Sequence, residues 1–270
     1  MSQRIRIGNQ TACSAAQTMD PFNFALEFRF DAFEWFSDKK GWHGFSEGDF
    51  DAGARAELKK TGELHDIRYS VHAPWQANPL HSDGCTLLYN SVDFAHDVGA
   101  GIMNLHLYMD KGPQEYVNAL LPVIQHAAKK GVRVSIENTP LTPPQEFNET
   151  FAAFWKSGVA RKDVGMCLDI GHANICDRTR FDYVRYLDEL SPDVPLIHLH
   201  VHENHGDADS HLTLFSGPAG ENDAGVRAFI ERLRKRNYDG AMILEQWPNP
   251  STQLLKARAR LNMLFELQNG

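Results

Sequence analysis

Eight short runs rich in aliphatic and β-branched residues alternate with longer stretches of helical spacing along the whole of this 270-residue chain. The runs begin near Ile5, Ala32, Ile67, Ile102, Val132, Val164, Leu196 and Ala241. Helical periodicity covers Tyr116 to Lys130, Phe147 to Ser157, Ala224 to Arg236 and Thr252 to Leu267, and Gly131 and Gly240 read as stop signals. Strict alternation demands a parallel sheet, and eight units with no antiparallel interruption favour closure into a barrel. A dinucleotide-binding sheet is disfavoured because Gly8-Asn9-Gln10-Thr11 follows the first run without a glycine fingerprint. The expected fold class is therefore α/β, a (β/α)8 barrel, with residues 1–270 forming one domain.

Composition narrows the function classes. Hydrophobic residues at 42% and charged residues at 23% describe a chain with a large core, which argues against disorder. The net charge is −8 and the basic residues are scattered, so phosphate backbones are repelled and nucleic acid is disfavoured as a partner. Cys13, Cys85, Cys167 and Cys176 form no Cys-x-x-Cys pair, which signals neither a disulfide framework nor a thiolate zinc site and suits a reducing cytoplasm. No apolar leader or membrane-length stretch is evident, so a cytoplasmic location without membrane contact is expected. The composition leaves homo-oligomer formation open.

Six of the runs end in a side chain able to bind a metal: His72, His106, Glu137, Asp169, His200 and Glu245. Their neighbours Val71, Leu105, Ile136, Leu168, Leu199 and Leu244 must face the helix layer, so alternation turns the six polar residues into the lumen. Singly, a strand histidine is an ordinary core residue and a strand-end carboxylate an ordinary cap. Six in phase, at the strand ends where such barrels hold their sites, converge on one space. Packed carboxylates and imidazoles need compensation, and a divalent cation compensates both. His198 and His202 share the phase of His200. Two loop pieces add donors, His172 in Asp169-Ile170-Gly171-His172 and the pair Asp209 and His211, the latter in a long connection of the kind that usually carries function.

Together these motifs resemble the xylose isomerase-like barrel superfamily, which contains sugar isomerases and epimerases and the endonuclease IV-type nucleases. The resemblance runs through Val71-His72-Ala73-Pro74, Asn104-Leu105-His106, Ile136-Glu137-Asn138, Leu168-Asp169-Ile170-Gly171-His172, His200-Val201-His202-Glu203-Asn204, Asp209-Ser210-His211 and Ile243-Leu244-Glu245. It implies a divalent metal (Zn, Mn, Mg or Co) on Glu137, Asp169, His200 and Glu245. In the nucleases two further zinc ions would fall to His72 and His106 sharing Glu137, and to His172, Asp209 and His211. Leu107-Tyr108 after His106, and Gly217-Pro218-Ala219-Gly220, depart from the pattern of many relatives.

The first expected activity is isomerisation or epimerisation of a small sugar, sugar phosphate or cyclitol through an enediolate. Glu137 and Glu245 are the expected acid and base, and His172 the contact to a hydroxyl or oxyanion. Glu34, Trp35, Trp75 and Trp247 are expected to bind substrate, with Trp42 a further candidate for an apolar wall. The alternative is a metal-dependent phosphoesterase of the endonuclease IV type, acting on abasic DNA or a small phosphodiester, or a related sugar or cyclitol lyase.

Overall fold

The computed structural model describes residues 5–267. Its strands are β1 (Arg6–Gln10), β2 (Ala32–Phe36), β3 (Arg68–His72), β4 (Ile102–His106), β5 (Arg133–Glu137), β6 (Val164–Asp169), β7 (Leu196–Val201) and β8 (Ala241–Leu244). Each pairs in parallel with the next, and β1 pairs with β8, so the sheet closes into an eight-stranded barrel. Five starts coincide with the sequence reading. The other three, at Arg6, Arg68 and Arg133, fall one residue later.

The helices follow the strands: α1 (Asp20–Glu27), α2 (Ala52–His65), α3 (Ser82–Val98), α4 (Gly112–Lys129) and α5 (Pro144–Lys156) after β1 to β5. After β6 come α6 (Ile170–Ile175) and α7 (Tyr183–Glu189), after β7 come α8 (Pro218–Glu221) and α9 (Ala224–Lys235), and α10 (Gln253–Leu267) follows β8. Their ends use ordinary chemistry. Asp51 accepts from Ala54 N to open α2, and Pro144 starts α5 where a missing N–H costs nothing. Gly131 takes a left-handed φ of 73° just past α4, as its reading as a stop signal requires. Gly240 does not stop α9, which ends at Lys235. Asn237 takes the left-handed conformation there, and a Cβ on Gly240 would meet Ile197 O at 2.4 Å, so this glycine serves close backbone approach.

The core lies between barrel and helices. Val71, Leu105, Ile136, Leu168, Leu199 and Leu244 are buried in it, as alternation requires. So is Trp35, which is fully buried and packs against Phe22, Phe33, Phe45, Phe50 and Tyr69. Trp35 is therefore not a substrate-binding wall. It shares the outward face of Phe33, and the ring fills the space under α1 and the segment that precedes α2. Among the described residues no helix is long and apolar enough to cross a membrane.

Candidate active site

All six strand-end residues lie at one end of the barrel. His72, His106, Glu137 and Asp169 are the last residues of their strands, His200 is the penultimate residue of β7, and Glu245 follows β8 directly. Their side chains meet inside the mouth in contiguous groups.

The deepest group is built on Glu34. This residue is fully buried, accepts from Ser70 Oγ at 2.8 Å and contacts His198 Nε2 at 2.8 Å. Its Oε1 lies 2.8 Å from His200 Nε2, a close but off-axis contact. Burial pushes its carboxyl up, but His200 and His198 outweigh it and hold Glu34 well below the usual carboxylate range. Glu34 thus lies beneath the site, Oε2 hydrogen-bonded and Oε1 buried against His200, which corrects its expected role as a substrate contact. Its charge lies directly under His200, where outer carboxylates support metal-binding imidazoles.

Above it, His72, Glu137, His200 and Glu245 bring one ligand atom each within 4.8 Å of one another. His72 Nε2 lies 3.0 Å from Glu137 Oε2, while His200 Nδ1 lies 3.2 Å from Glu137 Oε2 and 3.4 Å from Glu245 Oε2. His106 stands at the edge, its Nε2 3.7 Å from Glu137 Oε1. Despite these charge contacts, Glu137 Oε1, Glu245 Oε2 and His200 Nδ1 are buried without an aligned hydrogen bond among the described residues. The two carboxyls diverge in acidity. For Glu137 the cost of burial is outweighed by His200 and His106, which hold it well below the usual range. Burial, reinforced by the negative charge of Glu137, pushes Glu245 up to about 8.

The outermost group gathers His172, His202, Asp209 and His211, again within 4.8 Å of one another. Asp169 caps α6 by accepting from His172 N at 2.7 Å, and Asn138 clamps Asp169 through both of its main-chain polar groups. Glu203 and Leu212 exchange main-chain hydrogen bonds of 2.8 Å, folding residues 203–212 into a hook that carries Asp209 and His211 over the mouth. Asp209 Oδ2 is 3.2 Å from both His172 Nε2 and His211 Nε2, and these imidazoles hold its carboxyl far below the usual range against the cost of burial.

His202 enters this group although the sequence pattern marked it only as sharing the phase of His200. Its Nε2 lies 3.1 Å from Asp169 Oδ2, its ring stacks on His211 at 4.0 Å, and its Nδ1 is buried without a partner among the described residues. Asp169 is grouped with Glu137 and His172, and with His202 and Glu245, rather than with His200. The four residues Glu137, Asp169, His200 and Glu245 thus share one chamber without closing into one compact set.

The donor chemistry fits divalent cations. His72, His172 and His211 each place Nδ1 within 2.6 to 3.0 Å of a main-chain oxygen, of Ala73, Asn138 and Glu245 respectively. A carbonyl only accepts, so each Nδ1 carries the hydrogen and each neutral ring turns an Nε2 lone pair toward a carboxylate. A proton or a cation between them removes the clash. Around the rim, Trp75 is exposed on the loop after β3 and Trp247 follows β8, packing edge-on against Phe24 at 5.5 Å. Trp42, Leu141 and Phe181 are exposed on the loops after β2, β5 and β6.

A closed parallel barrel with acids and imidazoles gathered at its C-terminal mouth defines a class of α/β-barrel proteins with the architecture of an active site. Within that class, the chain belongs to the xylose isomerase-like TIM barrel family, whose sequence model matches residues 22–265. An uncharacterised protein of Methanocaldococcus jannaschii is 24% identical over an alignment of 211 residues, with 70% of this chain and 67% of that one covered. Among solved structures, endonuclease IV of Thermus thermophilus superposes with a TM-score of 0.69 at 20% identity, covering 97% of this chain and 99% of its own. D-psicose 3-epimerase of Clostridium cellulolyticum, crystallised with D-tagatose, gives 0.69 at 13% identity over 97% and 99%. A second Thermus thermophilus protein, soaked with zinc chloride, gives 0.64 at 22% over 94% and 97%. At these identities the likeness establishes the fold.

Proposed function

We propose that this chain is a divalent-metal-dependent isomerase or epimerase of a small sugar, sugar phosphate or cyclitol. The observation that carries this reading is the meeting of Glu137 and Glu245 in one buried chamber, their oxygens within 4.8 Å of each other and one oxygen of each lacking an aligned hydrogen bond. Moving a proton on carbon needs one group to take it and one to return it at the substrate. Two such carboxyls, held unequally acidic by their surroundings, meet that need. Glu137, Asp169, His200 and Glu245 would hold the ion, with His202 beside Asp169. Bound there, a divalent ion supplies Lewis acidity toward a carbonyl and its neighbouring hydroxyl. The carboxyl oxygens left free take and return the α-proton, and His172 at the mouth contacts a hydroxyl or the developing oxyanion. The barrel walls exclude water from the chamber, and Trp75 and Trp247 border its entrance.

A second reading, phosphoester hydrolysis, is favoured by the group His172, His202, Asp209 and His211 and by His72 and His106 beside Glu137. An isomerase needs no second or third ion at these groups, whereas a phosphate clamped between two or three ions uses both. The two readings separate in one pair of assays. Ketoses and inososes incubated in deuterated water with metal-loaded protein should gain deuterium α to the carbonyl, and Glu137→Gln should abolish the gain at unchanged fold. No exchange on any of them, with chelator-sensitive cleavage of an abasic duplex or a small phosphodiester, would replace the first reading with the second.

A further inference from the structure

The N-terminal end of the barrel, opposite the mouth, carries chemistry that the reading above does not use. Arg68 opens β3 on the face of Ser70 and His72, and Arg133 opens β5 on the face of Ser135 and Glu137, so alternation sends both into the lumen from below. There they line a cavity of about 630 Å³ together with Lys235, Arg236 and a single acid, Asp239. Four cations facing one carboxylate is the reverse of the chain's net charge of −8.

The three guanidinium groups are bonded to main-chain carbonyls. Arg68 donates to Asp239 O at 3.2 Å, Arg133 to Arg161 O at 2.9 Å, and Arg236 to Leu187 O at 3.0 Å and Leu190 O at 2.6 Å. Among the described residues none of the three has a carboxylate within 4.0 Å. Arg133 Nε is buried with no hydrogen-bond partner among them. Lys235 is different, because Glu231 pairs with it at 2.7 Å on the rim. Burial pushes the guanidinium pKa of Arg133 and of Arg236 down, outweighing the more distant carboxylates of Asp239 and Asp163 for the first and of Asp188 for the second. An adjoining cavity at the same end also contains Arg68, but Arg6 there is already paired with Asp66 at 2.9 Å, so it adds no second site.

We infer that the cavity at the N-terminal end of the barrel binds a phosphate-type oxyanion through Arg68, Arg133 and Arg236. Planar guanidinium forks match the oxygens of such an anion two at a time. The volume exceeds one phosphate and admits a diphosphate or a small phosphorylated molecule. The inference stands apart from the chemistry at the mouth.

Calorimetric titration of inorganic phosphate and of pyrophosphate into chelator-treated protein, at constant ionic strength, tests it without interference from ions at the mouth. A saturable, one-site isotherm with a dissociation constant below millimolar is expected. Binding should weaken at least tenfold in Arg133→Gln and in Arg236→Met, and should be unchanged in Lys40→Gln, which alters the opposite end. Arg236→Met keeps the test decisive if Arg133→Gln fails to fold. Heats no larger than those of chloride, or equal binding by every variant, overturn the inference.

Discussion

His72 Nε2 faces Glu137 Oε2 across 3.0 Å while Nδ1 of the same ring lies 2.6 Å from Ala73 O, so the neutral imidazole opposes a lone pair to an anion. A positive charge between them relieves the opposition, a proton in the ion-free protein, which burial opposes but Glu137 favours by raising the pKa of His72, or a cation shared with the neighbouring acids. Purified protein is therefore expected to bind at least one divalent ion. Glu245→Gln, which removes an anionic donor and keeps the volume, should weaken binding. Elemental analysis after incubation with Zn or Mn reads both effects, and protein that stays metal-free would leave the clustered acids without a purpose.

Asp209 separates the outer group from the inner one. Among the described residues its ion-pair contacts are all imidazoles, His172 and His211 at 3.2 Å and His202 at 3.7 Å, and it stands on the hook rather than on a strand. Asp209→Asn should lower the bound-metal count by one while leaving the ion at Glu137 in place. An unchanged count would assign this group to substrate rather than metal.

His211 makes the site sensitive to pH. Burial favours its neutral form, but the hydrogen bond to Asp209 and the charge of Glu245 outweigh burial and raise its pKa to about 9. An unfolded histidine titrates near ~6.5. A folded pKa above the unfolded one contributes stability that is complete below about 6.5 and lost as pH rises through about 9. Chelator-treated protein should therefore lose melting temperature over that window, and His211→Gln should flatten the loss. Metal affinity should move the opposite way, rising with pH, because the ring must shed its proton to bind a cation.

The barrel and its ring of polar ends were legible because strand alternation is local. Once Val71, Leu105 and Ile136 are assigned outward, His72, His106 and Glu137 have nowhere to point but the lumen. The same rule applied to Phe33-Glu34-Trp35 puts Trp35 outward with Phe33, so its burial in the helix layer was readable too. The position of Glu34 under His200 was not. It depends on how far down the lumen β2 sets its third residue relative to β7, which pairing across the closed ring decides. His202 lies past the end of β7, where the path of the chain follows from the hook at Glu203 and Leu212, a long-range pairing without a local signature.

Glu34 offers a test of support from beneath. Replacing it by Ala strips His198 and His200 of their shared anion inside the barrel. Removing one partner of a buried ion pair costs about 3–5 kcal/mol, and loss of an outer carboxylate weakens metal binding roughly 10–100-fold. Denaturant titration of ion-free protein reads the first and competitive metal titration the second. Wild-type affinity in a folded Glu34→Ala protein would show that His200 needs no such support.

Gly171, in the first turn of α6, concerns space rather than backbone freedom. A Cβ there would stand 2.0 Å from His202 Cε1 and 2.4 Å from each ring nitrogen. In an open helical position Gly→Ala stabilises by about 1 kcal/mol. Here the methyl must displace a buried ring, and overpacking of that kind costs about 1–3 kcal/mol. Gly171→Ala should therefore destabilise the protein and push His202 off Asp169, lowering metal affinity without altering any donor atom. The steric origin is checked by a cycle. With His202→Ala already in place the methyl has room, so adding Gly171→Ala should cost nothing or stabilise, and the two substitutions should be strongly non-additive. Additive costs would mean that the glycine is required for some reason other than the ring of His202.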